Sequence, residues 1–413
     1  MSTLLSSTLA PPVRFLAVAG PGLAVMLADT DAGGVITAAQ SGAQWGYALL
    51  PLQVLLIPVL FMVQELTVRL GIATGKGHSE LICQHFGRRW AWLSVAALLL
   101  ACLGALLSEL GGLVGVGLMY GVPAWLTLAL AVSGLSLMVY TASYLSVERI
   151  ALGLGAFELV FVFVACKAHP AGADIAAGIA SVPLRDSGYW MLVSANIGAV
   201  VMPWMVFYQQ SAVVEKKLGP GDLRAARWDT AIGALLTQLI MSAVLVVAAA
   251  TLARSGHAQA LGSVHDIASA LAPYFGADSA RLLFGMGMSG ASLIAAIVVT
   301  LTAARALGEM LGYRHTLEQS PRQAPWFYAS YTLVLIVAAL VVGGGADLLR
   351  LGVGVQVMNA LLLPFVLGFL YLLARRLPAA YRLRGGYAAT VAVLIALTVA
   401  LGVYGGVAGL LAV

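Results

Sequence analysis

A chain of 413 residues, 61% hydrophobic and 9% charged, cannot be an ordinary water-soluble domain, in which about a quarter of the residues carry charge. Its net charge of +5 points to no nucleic-acid partner, because the Lys and Arg residues stand between apolar segments rather than along one face or arm. The three cysteines, Cys83, Cys102 and Cys166, have no metal-ligand spacing and no disulfide pattern.

The stretch up to Arg14 lacks a cleavable-signal pattern, since the apolar run after it is too long and carries acidic residues, so the first helix is expected to be kept. About 20 apolar residues cross a bilayer core as a helix. Runs of that length occur at 15–45 (span 1), 48–73 (span 2), 90–119 (span 3), 124–142 (span 4), 145–166 (span 5) and 187–213 (span 6). They continue at 226–253 (span 7), 279–311 (span 8), 325–344 (span 9), 351–374 (span 10) and 386–411 (span 11). The expected fold is an all-α membrane protein with eleven transmembrane helices. Breaks fall at Gly75-Lys76-Gly77, Gly87-Arg88-Arg89, Lys216-Lys217-Leu218-Gly219-Pro220 and Arg382-Leu383-Arg384-Gly385-Gly386. No soluble domain is left over, and one transmembrane domain covers 1–413.

Basic residues are retained on the cytoplasmic side of a membrane. With the N-terminus inside, seventeen Lys and Arg, from Arg14 to Arg384, fall on that side, and Lys167, Arg185, Arg254, Arg281 and Arg350 fall outside. A multi-pass protein of the plasma (inner) membrane is expected, with a cytoplasmic N-terminus and an outside C-terminus.

Two spans are interrupted. Ala28-Asp29-Thr30-Asp31-Ala32-Gly33-Gly34 places two carboxylates and two glycines where a lipid-facing helix needs apolar residues. Gly198-Ala199-Val200-Val201-Met202-Pro203 combines a glycine with a proline that has no amide to donate. Irregular backbone at membrane depth survives only when buried in protein or lining a cavity. Breaks in spans 1 and 6, five spans apart, mark a five-plus-five inverted repeat with the substrate site where they cross. Repeat one covers about 15–166 and repeat two about 187–374, with span 11 outside the repeat.

An ionised carboxylate at the membrane midplane costs at least about 2.5 kcal/mol unless paired or solvated, so Asp31 is the leading candidate site residue. It also suits the N-cap of the second half of span 1, and one oxygen can cap while the other binds. Asp29 is open between two roles: a second oxygen ligand favouring a hard divalent cation, or a side chain facing a vestibule or paired elsewhere. Met202 is a soft thioether placed in the broken span opposite Asp31, although methionine is also a common core filler. Pro203 frees the carbonyl of Ala199 to coordinate an ion.

These residues carry a family resemblance. Asp31-Ala32-Gly33-Gly34, then Gln40-Ser41-Gly42-Ala43-Gln44-Trp45-Gly46-Tyr47, resembles the first-helix signature of the Nramp divalent-metal transporters, Asp-Pro-Gly-Asn and Gln-Ala-Gly-Ala-Gln-Tyr-Gly-Tyr. Gln64, Leu66, Arg69-Leu70-Gly71, Thr74-Gly75-Lys76 and Glu80 are similar to the family's second helix and its exit. Val201-Met202-Pro203 stands where the family reads Val-Met-Pro-His.

The resemblance implies a LeuT-type fold and a metal held at positions that become Asp31, Gly34, Met202, Ala28 and Ala199. Gln356, before Leu363-Pro364-Phe365, resembles a family glutamine in helix 10. The departures are specific. Gly34 replaces an asparagine, Ala32 replaces a proline, and Trp204 replaces a histidine linked to proton movement. Span 3 offers only Glu109 where the family has an acidic pair, span 9 has no arginine inside it, and no histidine lies in a span. Weak or absent proton coupling follows.

Losing the asparagine widens the pocket, which suits an ion that keeps some of its water, as Mg²⁺ does. That points to the branch of Nramp-related magnesium transporters, while Met202 favours a softer ion, and Mn²⁺ satisfies both. The expected function is therefore import of Mg²⁺ or Mn²⁺ by alternating access. Its rivals are a proton-coupled Mn²⁺ or Fe²⁺ importer and an amino-acid or organic-solute transporter of the same fold, though two aspartates would repel a substrate carboxylate. No cofactor and no enzyme activity are expected.

Overall fold

The computed structural model describes residues 20–411 except 142, 169, 253–263, 270, 271 and 346. The start of span 1 before Gly20, together with Arg14 and Arg254, lies outside the described residues. Within them every element is helical. Ten helices are long and apolar enough to cross a membrane, and the pair Pro21–Asp29 and Ala32–Trp45, bent by 49°, makes an eleventh span. The eleven predicted spans therefore correspond one to one.

Three features differ from the sequence reading. The linker between spans 2 and 3 holds a helix, His78–Phe86, set between Gly75 and Gly87, whose φ values are 64° and 94°. This nine-residue helix buries His78, Ser79, Leu81 and Ile82 and is too short and polar to register as an apolar run. A second short helix, Gly172–Ala180, lies between spans 5 and 6. Span 5 is itself interrupted, with helix Tyr144–Gly155, a 3₁₀ turn at Ala156–Glu158 and helix Leu159–Ala168.

The breaks in spans 1 and 6 fall where the sequence places them. Span 1 stops at Asp29 and restarts at Ala32, with Asp31 as the extended N-cap. Span 6 stops at Val200 and restarts at Pro203, with Met202 as the extended N-cap. Its halves stay close enough to collinear to read as one span, Ser187–Glu215. The two spans cross with opposite halves together: Pro21–Asp29 packs on Pro203–Glu215, and Ala32–Trp45 packs on Ser187–Val200.

Lipid tails are as apolar as leucine, so helix association depends on close packing through small residues. A Cβ at Gly198 would stand 1.8 Å from the carbonyl oxygen of Gln356, and one at Gly42 would stand 2.2 Å from that of Leu245. These two glycines bring span 6 onto span 10 and span 1 onto span 7. Span 7 also caps the start of span 1. The Asp229 carboxylate accepts from the backbone N–H of Gly22 at 2.7 Å, Gly20 at 3.2 Å and Leu23 at 3.3 Å, satisfying donors that a helix start leaves unpaired.

Buried ion pairs gather at the end where spans 1, 5, 7 and 11 begin and spans 2, 6, 8 and 10 finish. Glu65 binds Arg69 at 2.8 Å and Arg227 at 2.7 Å. Glu215 binds Arg305 at 2.5 Å, and Glu148 binds Lys216 at 2.9 Å.

Candidate functional site

The local chemistry of each break follows from where its backbone donors go. In span 6 the residue four places after Ala199 is Pro203, which has no N–H, so the Ala199 carbonyl loses its helical partner. In span 1 the residue four places after Ala28 is Ala32, whose N–H goes instead to Glu109 Oε2 on span 3 at 3.1 Å. The two breaks thus free equivalent carbonyls by different means, one by a missing donor and one by a diverted donor.

Asp31 is fully buried. Its Oδ1 accepts from the Gly34 backbone N–H at 2.5 Å, and Gln356 Nε2 lies 3.3 and 3.4 Å from its two oxygens. Gln356 comes from span 10 and reaches Asp31 because Gly33 has no side chain: a Cβ there would sit 2.5 Å from Gln356 Nε2. The Gln356 carbonyl oxygen is occupied by Asn359 Nδ2 at 2.9 Å, so Gln356 presents its amide protons and holds the carboxylate. Gly34 contributes its backbone N–H alone, and a Cβ there would lie 3.0 Å from Asp31 Oδ1 and 3.2 Å from Met241 Cε.

Met202, also fully buried, accepts a hydrogen bond at its Sδ from Trp204 Nε1 at 3.1 Å. The indole that stands in the histidine position therefore occupies part of the thioether. Ala28 and Ala199 are fully buried beside the breaks.

Asp29 lies within electrostatic reach of Asp31 and Glu158, and Glu109 within reach of Asp31 and Glu158. Among the described residues none of these four carboxylates forms a salt bridge. Glu109 entered the sequence reading only as the remnant of an acidic pair, and its diversion of the Ala32 amide was not foreseen. Glu158 was missed altogether. The signal was present, since a glutamate inside the apolar run 145–166 is itself a functional flag.

The described histidines lie outside the spans. His78 is buried against the second half of span 6, with Nδ1 2.8 Å from Gln210 Oε1 and its ring edge-on to Phe207 at 4.7 Å. Burial pulls its pKa from 6.5 down to about 4, with the Gln210 contact opposing, so it is neutral at physiological pH.

The sequence model of the family described as natural resistance-associated macrophage protein-like, or Nramp, matches residues 22–408. A Klebsiella pneumoniae protein named divalent metal cation transporter MntH is 28% identical over 292 residues, covering 69% of this chain and 70% of its own. A Brucella suis protein of the same name is 27% identical over 373 residues, covering 85% of this chain and 79% of its own. Among solved structures, the Eremococcus coleocola manganese transporter bound to an aromatic bis-isothiourea compound superposes with TM-score 0.77 at 19% identity, over 94% of this chain and 86% of that one. Mhp1, a nucleobase-cation-symport-1 family transporter, superposes in its closed conformation with TM-score 0.61 at 15% identity, over 95% and 91%. These likenesses show a shared fold, the LeuT-type arrangement with broken helices 1 and 6.

Proposed function

The chain belongs to the Nramp family, and on that premise we propose that it carries a divalent metal cation, Mg²⁺ or Mn²⁺, across the membrane by alternating access. The ion sits between the breaks, held by the Asp31 carboxylate, the carbonyls of Ala28 and Ala199, and the Met202 thioether. The observation that carries this reading is Asp31 itself: fully buried, without a salt-bridge partner among the described residues, and held from behind by Gly34 and Gln356. A carboxylate in that setting is expensive until a cation arrives. The names of the relatives from Klebsiella pneumoniae and Brucella suis support the same substrate class.

The Trp204 hydrogen bond uses electron density that Met202 would otherwise give to a soft metal, and Gly34 supplies no side-chain oxygen. Both tilt the site toward a hard ion that keeps part of its water. Proton coupling is weak or absent, because indole does not titrate in the useful range and His78 stays neutral. The basic-residue distribution supports a cytoplasmic N-terminus in the plasma membrane, and the ion-paired end of the bundle is then the cytoplasmic one. The halves 15–166 and 187–374 act as the two repeats.

The test is uptake of Mn²⁺ and Mg²⁺ into proteoliposomes. Asp31→Ala is expected to abolish uptake while the protein remains folded and monodisperse, and unchanged uptake would remove Asp31 from the site. A pH dye inside the same vesicles should stay silent as metal enters, whereas acidification in step with uptake would establish the proton-coupled alternative.

A further inference from the structure

Glu158 sits at the membrane interior of span 5, fully buried, and neither of its carboxylate oxygens makes a hydrogen bond of standard geometry among the described residues, although the Thr30 hydroxyl approaches it. Both oxygens of Asp29 are in the same condition, as is the hydroxyl of Thr30. The three belong together. Asp29 and Glu158 act on each other electrostatically, and the Thr30 hydroxyl faces the Glu158 carboxylate.

The backbone is shaped to bring them there. Gly155 lacks the Cβ that would meet Leu27 Cδ1 at 2.8 Å, so span 5 closes directly onto the first half of span 1. A Cβ at Gly290 would lie 2.4 Å from the Leu154 carbonyl, so span 8 presses the same turn from the other side. The 3₁₀ turn Ala156–Glu158 then interrupts span 5 opposite the break in span 1. Mid-helix 3₁₀ turns commonly mark functional positions, and this one delivers Glu158.

Charge bookkeeping points the same way. Asp29, Asp31, Glu109 and Glu158 are fully buried, influence one another, and form no salt bridge among the described residues. An ion at Asp31 alone leaves the carboxyl groups of Asp29 and Glu158 without a cation. We propose that Asp29, Glu158 and Thr30 form a second cation site, beside the transport site, that takes a hard, oxygen-seeking divalent cation. Its donors are two carboxylates and a hydroxyl with no sulfur or nitrogen, the ligand set of Mg²⁺ or Mn²⁺ rather than of softer metals. Asp29 thereby belongs to this site and does not touch the ion at Asp31.

The inference rests on the proposed function only in taking Asp31 as the transport site. The experiment is a Mn²⁺ and Mg²⁺ titration of the full-length, metal-stripped protein in detergent, with bound metal counted and Mn²⁺ followed by electron paramagnetic resonance. The wild type is expected to bind two Mn²⁺ per chain, with a spectrum broadened by coupling between neighbouring ions. Glu158→Gln should bind one, with a narrow uncoupled spectrum, and Mg²⁺ should compete for the lost equivalent. Thr30→Val, the milder change, should weaken that equivalent several-fold and serves if Glu158→Gln does not fold. One equivalent in the wild type, two in Glu158→Gln, or undiminished affinity in Thr30→Val would overturn the second site. An Asp31→Ala protein that keeps both ions would instead sink the transport-site assignment, so the two failures are distinguishable.

Discussion

Trp204 and Met202 are two residues apart on the same turn, and the indole N–H reaches back to the sulfur at 3.1 Å. A net hydrogen bond of this kind contributes about 1 kcal/mol, which is also the scale on which a thioether ligand is weakened. Trp204→Phe removes the donor and keeps most of the bulk. It is expected to strengthen Cd²⁺ and Mn²⁺ binding relative to Mg²⁺ by about fivefold, read by competition titration, and an unchanged ratio would mean that Met202 does not touch the ion. His78 gives a different residue-scale prediction. Its pKa is 6.5 in the unfolded chain and about 4 in the fold, so between those values the unfolded chain takes up a proton that the fold refuses. The associated stability, up to about 3 kcal/mol, is present above pH 6.5 and lost progressively as pH falls toward 4. The drop in melting temperature between about pH 7.5 and about pH 5 should therefore be smaller in His78→Asn than in the wild type.

Elements were legible in the sequence wherever they were long and apolar. All eleven spans could be read that way, and so could both breaks, because an aspartate pair and a proline are conspicuous in lipid-depth sequence. The helix His78–Phe86 escaped because nine amphipathic residues leave no spanning signal, and the turn before Glu158 escaped because no proline announces it. The site was legible as residue types but not as donor geometry. Gln356 resembles a family glutamine by sequence, but only the fold shows that it lies beside Asp31 and that Asn359 holds its side-chain carbonyl and turns its amide protons toward the carboxylate. The freed carbonyl of Ala28 depends on Glu109, far away in sequence, taking a single amide. Asp229 is another long-range partner that no local pattern reveals. Asp229→Ala would leave the Gly20, Gly22 and Leu23 amides without their cap and should cost at least about 2 kcal/mol, seen as a lower melting temperature in detergent.

Among the described residues, the buried ion pairs are concentrated at one end of the molecule. Glu65 there is nearly inaccessible and serves two guanidinium groups. Glu65→Gln leaves Arg69 buried without its countercharge and is expected to destabilise the protein by about 3 kcal/mol. The same change should raise the reactivity of Cys83, which is partly accessible on the neighbouring helix His78–Phe86, toward a membrane-impermeant thiol reagent. Unaltered melting and labelling would show that this cluster does not hold the end closed.

The cap that Asp229 places on span 1 also bears on movement. Hydrogen bonds from three backbone amides fasten the start of that span to span 7, which also packs on its second half at Gly42, while Gly33 and Gln356 key the second half to span 10. The 49° bend thus separates two parts that share span 7, the second part holding span 10 as well. Any change in the bend during transport must then shift span 7 against one half or the other, with the two unwound residues Thr30 and Asp31 at the pivot. The Asp31 carboxylate would then lie on the axis of rotation, where it moves least while the walls around it move most.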